Sequence, residues 1–397
     1  MSMRHWIFYL IFAAGNLCAE TNYQKELVDI DRAVNTASTQ SQSIHALYRR
    51  ACLTGNITDI KKSQFAVQTA LEKFGPCQEL YLLAASLDLK LHRLAEAKSM
   101  LEKIPSGQWD QDFALLQADL AEQEGRYADA TALCQQTLRY GERWDALARL
   151  AHLDFLAGNF SSADKNFSAA EPLLTAKHMR FFAWLEVQRG RMEFQRGNYQ
   201  QARKYYDRAT QAYTGDWLTE GALAELDAAE RKFPSAIARY EKLIAATGKP
   251  EFREALGDLH VYAGKPALAK PWHDQACAAF LASAAQGDVH FFHHLTHFFA
   301  DTRTDGPEAV KWAQADFQLR KNAFTADALA WAFFRNGQFS EALDYSKTAL
   351  AFGVNDCFLQ YHAGMIHLAA QKSKAGKELL AQAARLNPNY ASFHAHY

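Results

Sequence analysis

Proline and glycine are scarce in this 397-residue chain, at 9 and 20 residues, which argues against long flexible linkers. Charge of one sign is not in excess: 43 Lys+Arg face 44 Asp+Glu, and no run of five or six like charges occurs. That balance excludes a nucleic-acid binder built on a basic footprint, and equally a polybasic membrane-surface protein. The six cysteines are widely spaced and form no C-x-x-C, so zinc ribbons and thioredoxin-like redox motifs are absent. Cys52 and Cys77 are the only pair close enough in sequence to suggest a disulfide. No G-x-S-x-G elbow, P-loop, G-x-G-x-x-G or EF-hand loop is present, and with them goes any recognisable catalytic apparatus. Long apolar runs are missing beyond the N-terminus, so no transmembrane segment is expected in the mature chain.

What is there begins with Arg4 and His5, followed by nine apolar residues from Trp6 to Ala14. The run is too short for a bilayer span and right for a signal-peptide core, with cleavage expected between Ala19 and Glu20. Leu17 precedes Cys18 where a lipoprotein signal wants a small residue, which speaks against lipid anchoring. The sequence thus divides into a signal peptide over 1–19, a polar or helical lead-in over 20–42 and a repeat array over 43–397. The expected localisation is exported, and periplasmic if the source is bacterial.

The array announces itself through Gly-x-[Tyr/Phe]-x-x-Ala. Copies run Gly125 to Ala130, Gly158 to Ala163, Gly197 to Ala202 and Gly337 to Ala342, and Gly264 to Ala269 keeps the frame with proline in place of the aromatic. Looser copies centre on Ala97, Ala236, Ala309 and Gly376. Successive anchors are separated by 33, 33, 39, 34, 33, 40, 33 and 34 residues, a period near 34 with two inserts of about six. The glycine suits a tight turn that ends a first helix, the aromatic fills the gap between two helices, and the alanine permits their close approach. Ser43 to Gly75 reads as a degenerate first unit, with Ile44, Leu47 and Ala51 opposite Phe65, Val67 and Leu71. Proline closes the last unit at Leu386-Asn-Pro388.

From Gln78 to Pro388 the chain resembles the tetratricopeptide repeats. Its C-terminal third, at Asp327 to Gly337, Tyr361 to Ile366 and Leu386 to Tyr390, is similar to a set of exported bacterial tetratricopeptide proteins. The resemblance implies an all-α, right-handed superhelical solenoid of about nine to ten helix pairs. Nearest-neighbour stacking in such an array predicts that damage to one repeat stays local. The resemblance also implies a concave groove that takes a protein or peptide partner on outward residues of each first helix, without catalysis and with a place in an envelope complex. Projected by register, those positions are Asp119, Glu122, His152, Phe155, Trp184, Arg191 and Phe194 in the middle repeats. Further on they are Glu254, Asp258, Tyr262, His294, Phe298, Asp327, Trp331, Arg335, Tyr361 and Met365. His294, Asp327, Trp331, Arg335 and Tyr361 are expected to form one partner-binding strip, because each matches its neighbour at a spacing of 33 or 34 residues or lies on the same stripe of one helix.

Histidine is the exception to an otherwise ordinary composition, at 15 residues with ten from His260 onward. His290, His293, His294 and His297 fall at i, i+3, i+4 and i+7, so one helical face carries all four and the i, i+4 pairs can chelate a divalent metal. The alternative function is accordingly a metal- or small-ligand-binding accessory protein. The competing reading of the same run is an aromatic-rich packing helix whose histidines bond their neighbours. No cofactor is expected outside this cluster.

Overall fold

The computed structural model describes residues 20–105 and 110–395. The signal-peptide expectation over 1–19 falls outside them. Every regular element among the described residues is helical. A leading helix α1 (Asn22–Thr36) is followed by helices packed in consecutive pairs. These are α2 (Gln40–Thr54) with α3 (Ile57–Phe74), α4 (Gln78–Lys90) with α5 (Leu94–Glu102), and α6 (Gln111–Gln123) with α7 (Tyr127–Leu138). Next come α8 (Trp144–Leu156) with α9 (Phe160–Ala170), α10 (Met179–Gln195) with α11 (Tyr199–Ala212), and α12 (Trp217–Ala229) with α13 (Phe233–Thr247). The remainder are α14 (Pro250–Tyr262) with α15 (Pro266–Ala285), α16 (Phe292–His297) with α17 (Gly306–Leu319), α18 (Ala323–Arg335) with α19 (Phe339–Ala351), and α20 (Cys357–Ala369) with α21 (Ser373–Leu386).

The periodic alanines set this register. Ala97, Ala130, Ala163, Ala202, Ala236, Ala309 and Ala342 are wholly buried, each on the second helix of its pair where a larger side chain would push the two helices apart. The turn inside most pairs closes in a common way: the amide three residues past the helix reaches back to a carbonyl near its end, as in Asn159 N–H to the Asp154 carbonyl at 2.8 Å and Gln338 N–H to the Phe333 carbonyl at 2.9 Å. The two inserts are absorbed differently. Glu171–Leu173 and Ala176–His178 form short 3-10 turns ahead of α10, while the second insert lengthens α15 to 20 residues. In the first unit Ile44, Ala51 and Val67 are buried as expected, but Phe65 is 76% exposed; Ile60, Val67 and Ala70 supply the inward face of α3 instead. All five described cysteines are free thiols, Cys52 and Cys77 included.

The stack does not remain one-dimensional. Between 164 and 227 residues along the chain, the array returns upon itself and the loops ahead of later first helices dock on the ends of earlier ones. Asn355 donates its backbone N–H to the Leu156 carbonyl at 2.7 Å and its side-chain amide to Ala157 at 2.9 Å. Asn322 donates to the Gln123 carbonyl, Asn389 to Gly197, Lys249 to Gly55, Trp217 to Leu53 and Tyr23 to Thr214. Lys61 pairs with Asp288 at 3.0 Å across the same seam. The expectation of purely local coupling is corrected by these contacts, which tie repeats far apart in sequence into one body. No helix among the described residues is long and apolar enough to cross a membrane.

Candidate functional site

The inner face is made where successive first helices lie side by side, and its polar groups are mostly spent on one another. Asp119 holds Arg149 at 2.6 Å and Glu122 meets His152 at 3.0 Å between α6 and α8. Glu254 on α14 accepts from His294 on α16 at 2.7 Å, and Asp327 on α18 pairs with His362 on α20 at 2.7 Å. Burial alone depresses a histidine, but in these pairs the facing carboxylate outweighs it, and His152, His294 and His362 are all raised above their ordinary value of 6.5. Burial also raises Glu254, against the attraction of the His294 imidazole that it holds.

The five residues of the expected strip separate into two groups. Trp331 and Arg335 meet at a residue the sequence did not single out, Asp301, with Tyr361 beside Trp331 and Asp327 joined to it through His362. Trp331 Nε1–H donates to both Asp301 oxygens at 3.1 and 3.0 Å, and Arg335 lies 3.4 Å from the same carboxylate while donating to the Ala300 carbonyl at 2.9 Å. The indole of Trp331 is stacked on His362 at 4.1 Å and on Phe334 at 4.9 Å and is 7% exposed, so its faces are occupied from within the chain. Tyr361 leans toward Trp331 at 6.3 Å and toward Tyr390 at 5.5 Å. His294 belongs with Glu254 one repeat earlier.

The four clustered histidines do not converge. The helix over this run begins at Phe292, so His290 sits in the preceding turn, and Phe298–Thr302 continues as a wider π-helical turn that shifts the register. His290 stacks on His92 across the seam at 5.3 Å; burial pushes His290 down to about 4 and His92 also well below its ordinary value. His293 lies 4.0 Å from Asp316 and its ring 4.5 Å from that of His297. Among the described residues no group of three or more His, Cys, Asp or Glu side chains is arranged to hold a metal ion.

An open cavity of about 550 Å³ is set into this inner face. Glu254, Asp258, Val261 and Tyr262 of α14 form one wall, His273 of α15 and His297 the floor, and Asp301 to Arg303 of the π turn the far wall. Ser392, Phe393 and His394, which follow the last helix, close its edge. His273 reaches Asp258 at 2.9 Å because Gly257 leaves its ring room; a Cβ there would stand 2.2 Å from the imidazole. The two cations of the lining, Lys270 and Arg303, are both paired to Asp274 outside it. The three carboxylates of the lining have partners as well: Glu254 in His294, Asp258 in His273, and Asp301 in Trp331 and Arg335, so the cavity carries polar groups of both signs. Burial raises Asp301, against the donation from Trp331. The sequence register had marked Glu254, Asp258 and Tyr262, but nothing in it pointed to Asp301, His273 or the segment after the last helix.

The architecture is that of a tetratricopeptide-type helical solenoid. No protein-family profile matches the chain, and no curated protein does. Among solved structures, the chain is similar to human IFIT1, solved as a dimer with PPP-AAAA, at 13% identity over 92% of this chain and 86% of that one, with a TM-score of 0.48. A Cut9–Hcn1 hetero-tetramer of the APC/C aligns at 17% identity over 93% and 80%, with a TM-score of 0.43. A tetratricopeptide repeat protein from Parabacteroides merdae aligns at 13% identity over 82% and 98%, with a TM-score of 0.35.

Proposed function

We propose that this chain is a non-enzymatic, exported scaffold, periplasmic if bacterial, that holds a protein or peptide partner on its inner face within an envelope complex. The observation that carries the reading is the polar, aromatic-edged cavity between α14, the start of α15 and the π turn. It is wide enough for two or three side chains of a partner, and its polar groups are oriented by neighbours rather than assembled around a reacting centre. None of His294, Asp327, Trp331, Arg335 and Tyr361 lines the cavity itself; His294 acts on it through Glu254, and Trp331 and Arg335 through Asp301. The near-zero net charge fits a protein partner and not a nucleic acid.

The test uses Val261, which lines the cavity yet is 49% exposed and so tolerates replacement. Immobilised full chain should retain a discrete partner from an envelope extract, and Val261→Arg should lose it while melting like the wild type. Equal retention by both would place the partner elsewhere. Export has its own check: intact-mass analysis should find a chain starting near Glu20, and an intact Met1 or a lipid-modified Cys18 would contradict it.

A further inference from the structure

The segment after α21 behaves in the structure as a bound peptide. It forms no helix over Tyr390–Ala395, yet it leaves its own repeat and crosses the inner face to α12 and α14. Asn389 Nδ2 donates to the Gly197 carbonyl at 3.0 Å and fixes the crossing point. Phe393, 5% exposed, then joins the apolar cluster that α12, α13 and α14 form with Ala224, Ala228, Tyr240, Phe252 and Leu256, with the Tyr262 ring 5.7 Å away. His394 stacks between Phe358 at 4.4 Å and Phe194 at 6.4 Å. One carboxylate oxygen of Glu225 receives the Ala395 backbone N–H at 2.9 Å and faces the His394 imidazole at 3.0 Å.

An aromatic anchor in an apolar cluster, an imidazole between two rings and a main-chain amide read by a fixed carboxylate are the means by which a groove recognises an extended peptide. A packing role alone explains the buried phenylalanine. It does not explain why Glu225, buried on α12, spends one oxygen on both a backbone amide and the side chain before it. The cavity of about 550 Å³ opens directly beside Ser392 to His394, with the carboxylates of Asp258 and Asp301 facing it. The seat and the cavity are thus one continuous groove, half filled.

We propose that α12 and α14 form a peptide-binding site whose resident ligand is the chain's own Phe393-His394-Ala395. The partner it fits is a segment with a phenylalanine followed by a second ring-bearing residue such as histidine, which displaces the resident and extends into the adjoining cavity. This rests on the scaffold reading above and narrows it to a site and a partner chemistry. While the resident segment is seated, an added peptide meets only the open fraction of molecules, so its apparent affinity is lowered by that fraction.

The probe is a fluorescein-labelled peptide of residues 387–395, titrated by anisotropy against the full-length chain. Phe393→Ala, which withdraws the ring from that cluster and leaves every repeat in place, should bind it at least about tenfold more tightly than wild type. A peptide carrying alanine for its phenylalanine should not bind, and Glu225→Gln added to the variant should weaken the complex. A Phe393→Ala chain that keeps its helical circular dichroism and binds no better than wild type overturns the proposal. Hydrogen exchange on wild type covers the case of a misfolded variant. Excess peptide should accelerate exchange at Phe393 to Ala395, and exchange unmoved by peptide at any concentration refutes the displacement. The two readings fail separately: partner retention that is lost in Val261→Arg alongside an inert peptide sinks only the resident-ligand proposal, while peptide binding without any retained partner sinks only the scaffold reading.

Discussion

If the array closes upon itself, two glycines with the same local role must differ in cost when replaced. Gly158 and Gly337 both follow a first helix, with φ of +79° and +75°. Alanine in that left-handed region costs roughly 1–2 kcal/mol at either position. At Gly337 nothing lies within 4 Å of an added Cβ, so the local term is all there is. At Gly158 the Cβ would stand 2.8 Å from Asn355 Nδ2 and 3.2 Å from its Cβ. Asn355 cannot step aside cheaply, because its backbone amide and its side-chain amide are both donated to the Leu156–Ala157 carbonyls. Losing two such bonds at about 1 kcal/mol each brings Gly158→Ala to roughly 3–4 kcal/mol. Urea denaturation followed by circular dichroism measures the pair. Equal costs for the two alanine variants would mean that the seam is absent in solution, and the closed architecture would fall with it.

The His362–Asp327 pair predicts a pH dependence. The pair raises His362, so its stabilisation is complete below about pH 6 and is lost as pH rises through the folded value. The melting-temperature gap between wild type and His362→Gln should therefore be widest near pH 6 and narrow as pH rises above it; a gap that widens with pH contradicts it. On the other side of the seam, His290 and His92 are both lowered, so their packing is present above about pH 6.5 and is lost as pH falls toward 4. Amide exchange around His92 should accelerate in that interval, and constant protection would refute the assignment. Ala163→Leu should cost about 2–3 kcal/mol by overpacking α8 against α9. Because the Asn355 seam crosses α8, exchange should also rise near residue 355, and a response confined to the mutated repeat would restore the one-dimensional picture.

The repeat was legible because its period is written in small residues. The wholly buried alanines from Ala97 to Ala342 mark where two helices touch, and a larger side chain would push the helices apart there. The route of the superhelix was not legible, because it is the sum of small rotations between neighbours, and no single residue encodes the sum. That sum brings Asn355 to Leu156 and Phe393 to Tyr262, so both the seam and the seat of the last segment lay beyond sequence reasoning. The register did place Glu254, Asp258 and Tyr262 on the inner face. It could not show that Trp331 would be covered by His362, since that depends on rotamers across a repeat boundary. The histidine run divides for a local reason: a turn before Phe292 takes His290 off the helix, while His293 and His297 stay at i, i+4 on α16 with their rings 4.5 Å apart.

The central claim is that partner recognition happens on the inner face beside α14, and site-specific photocrosslinking addresses it most directly. A benzophenone amino acid at Val261 faces the cavity, and the same group at Phe339, which is 43% exposed and does not line the cavity, serves as the control. Irradiation in an envelope extract should yield one discrete adduct from position 261 and none from position 339. An adduct of equal or greater yield from position 339 would contradict the account.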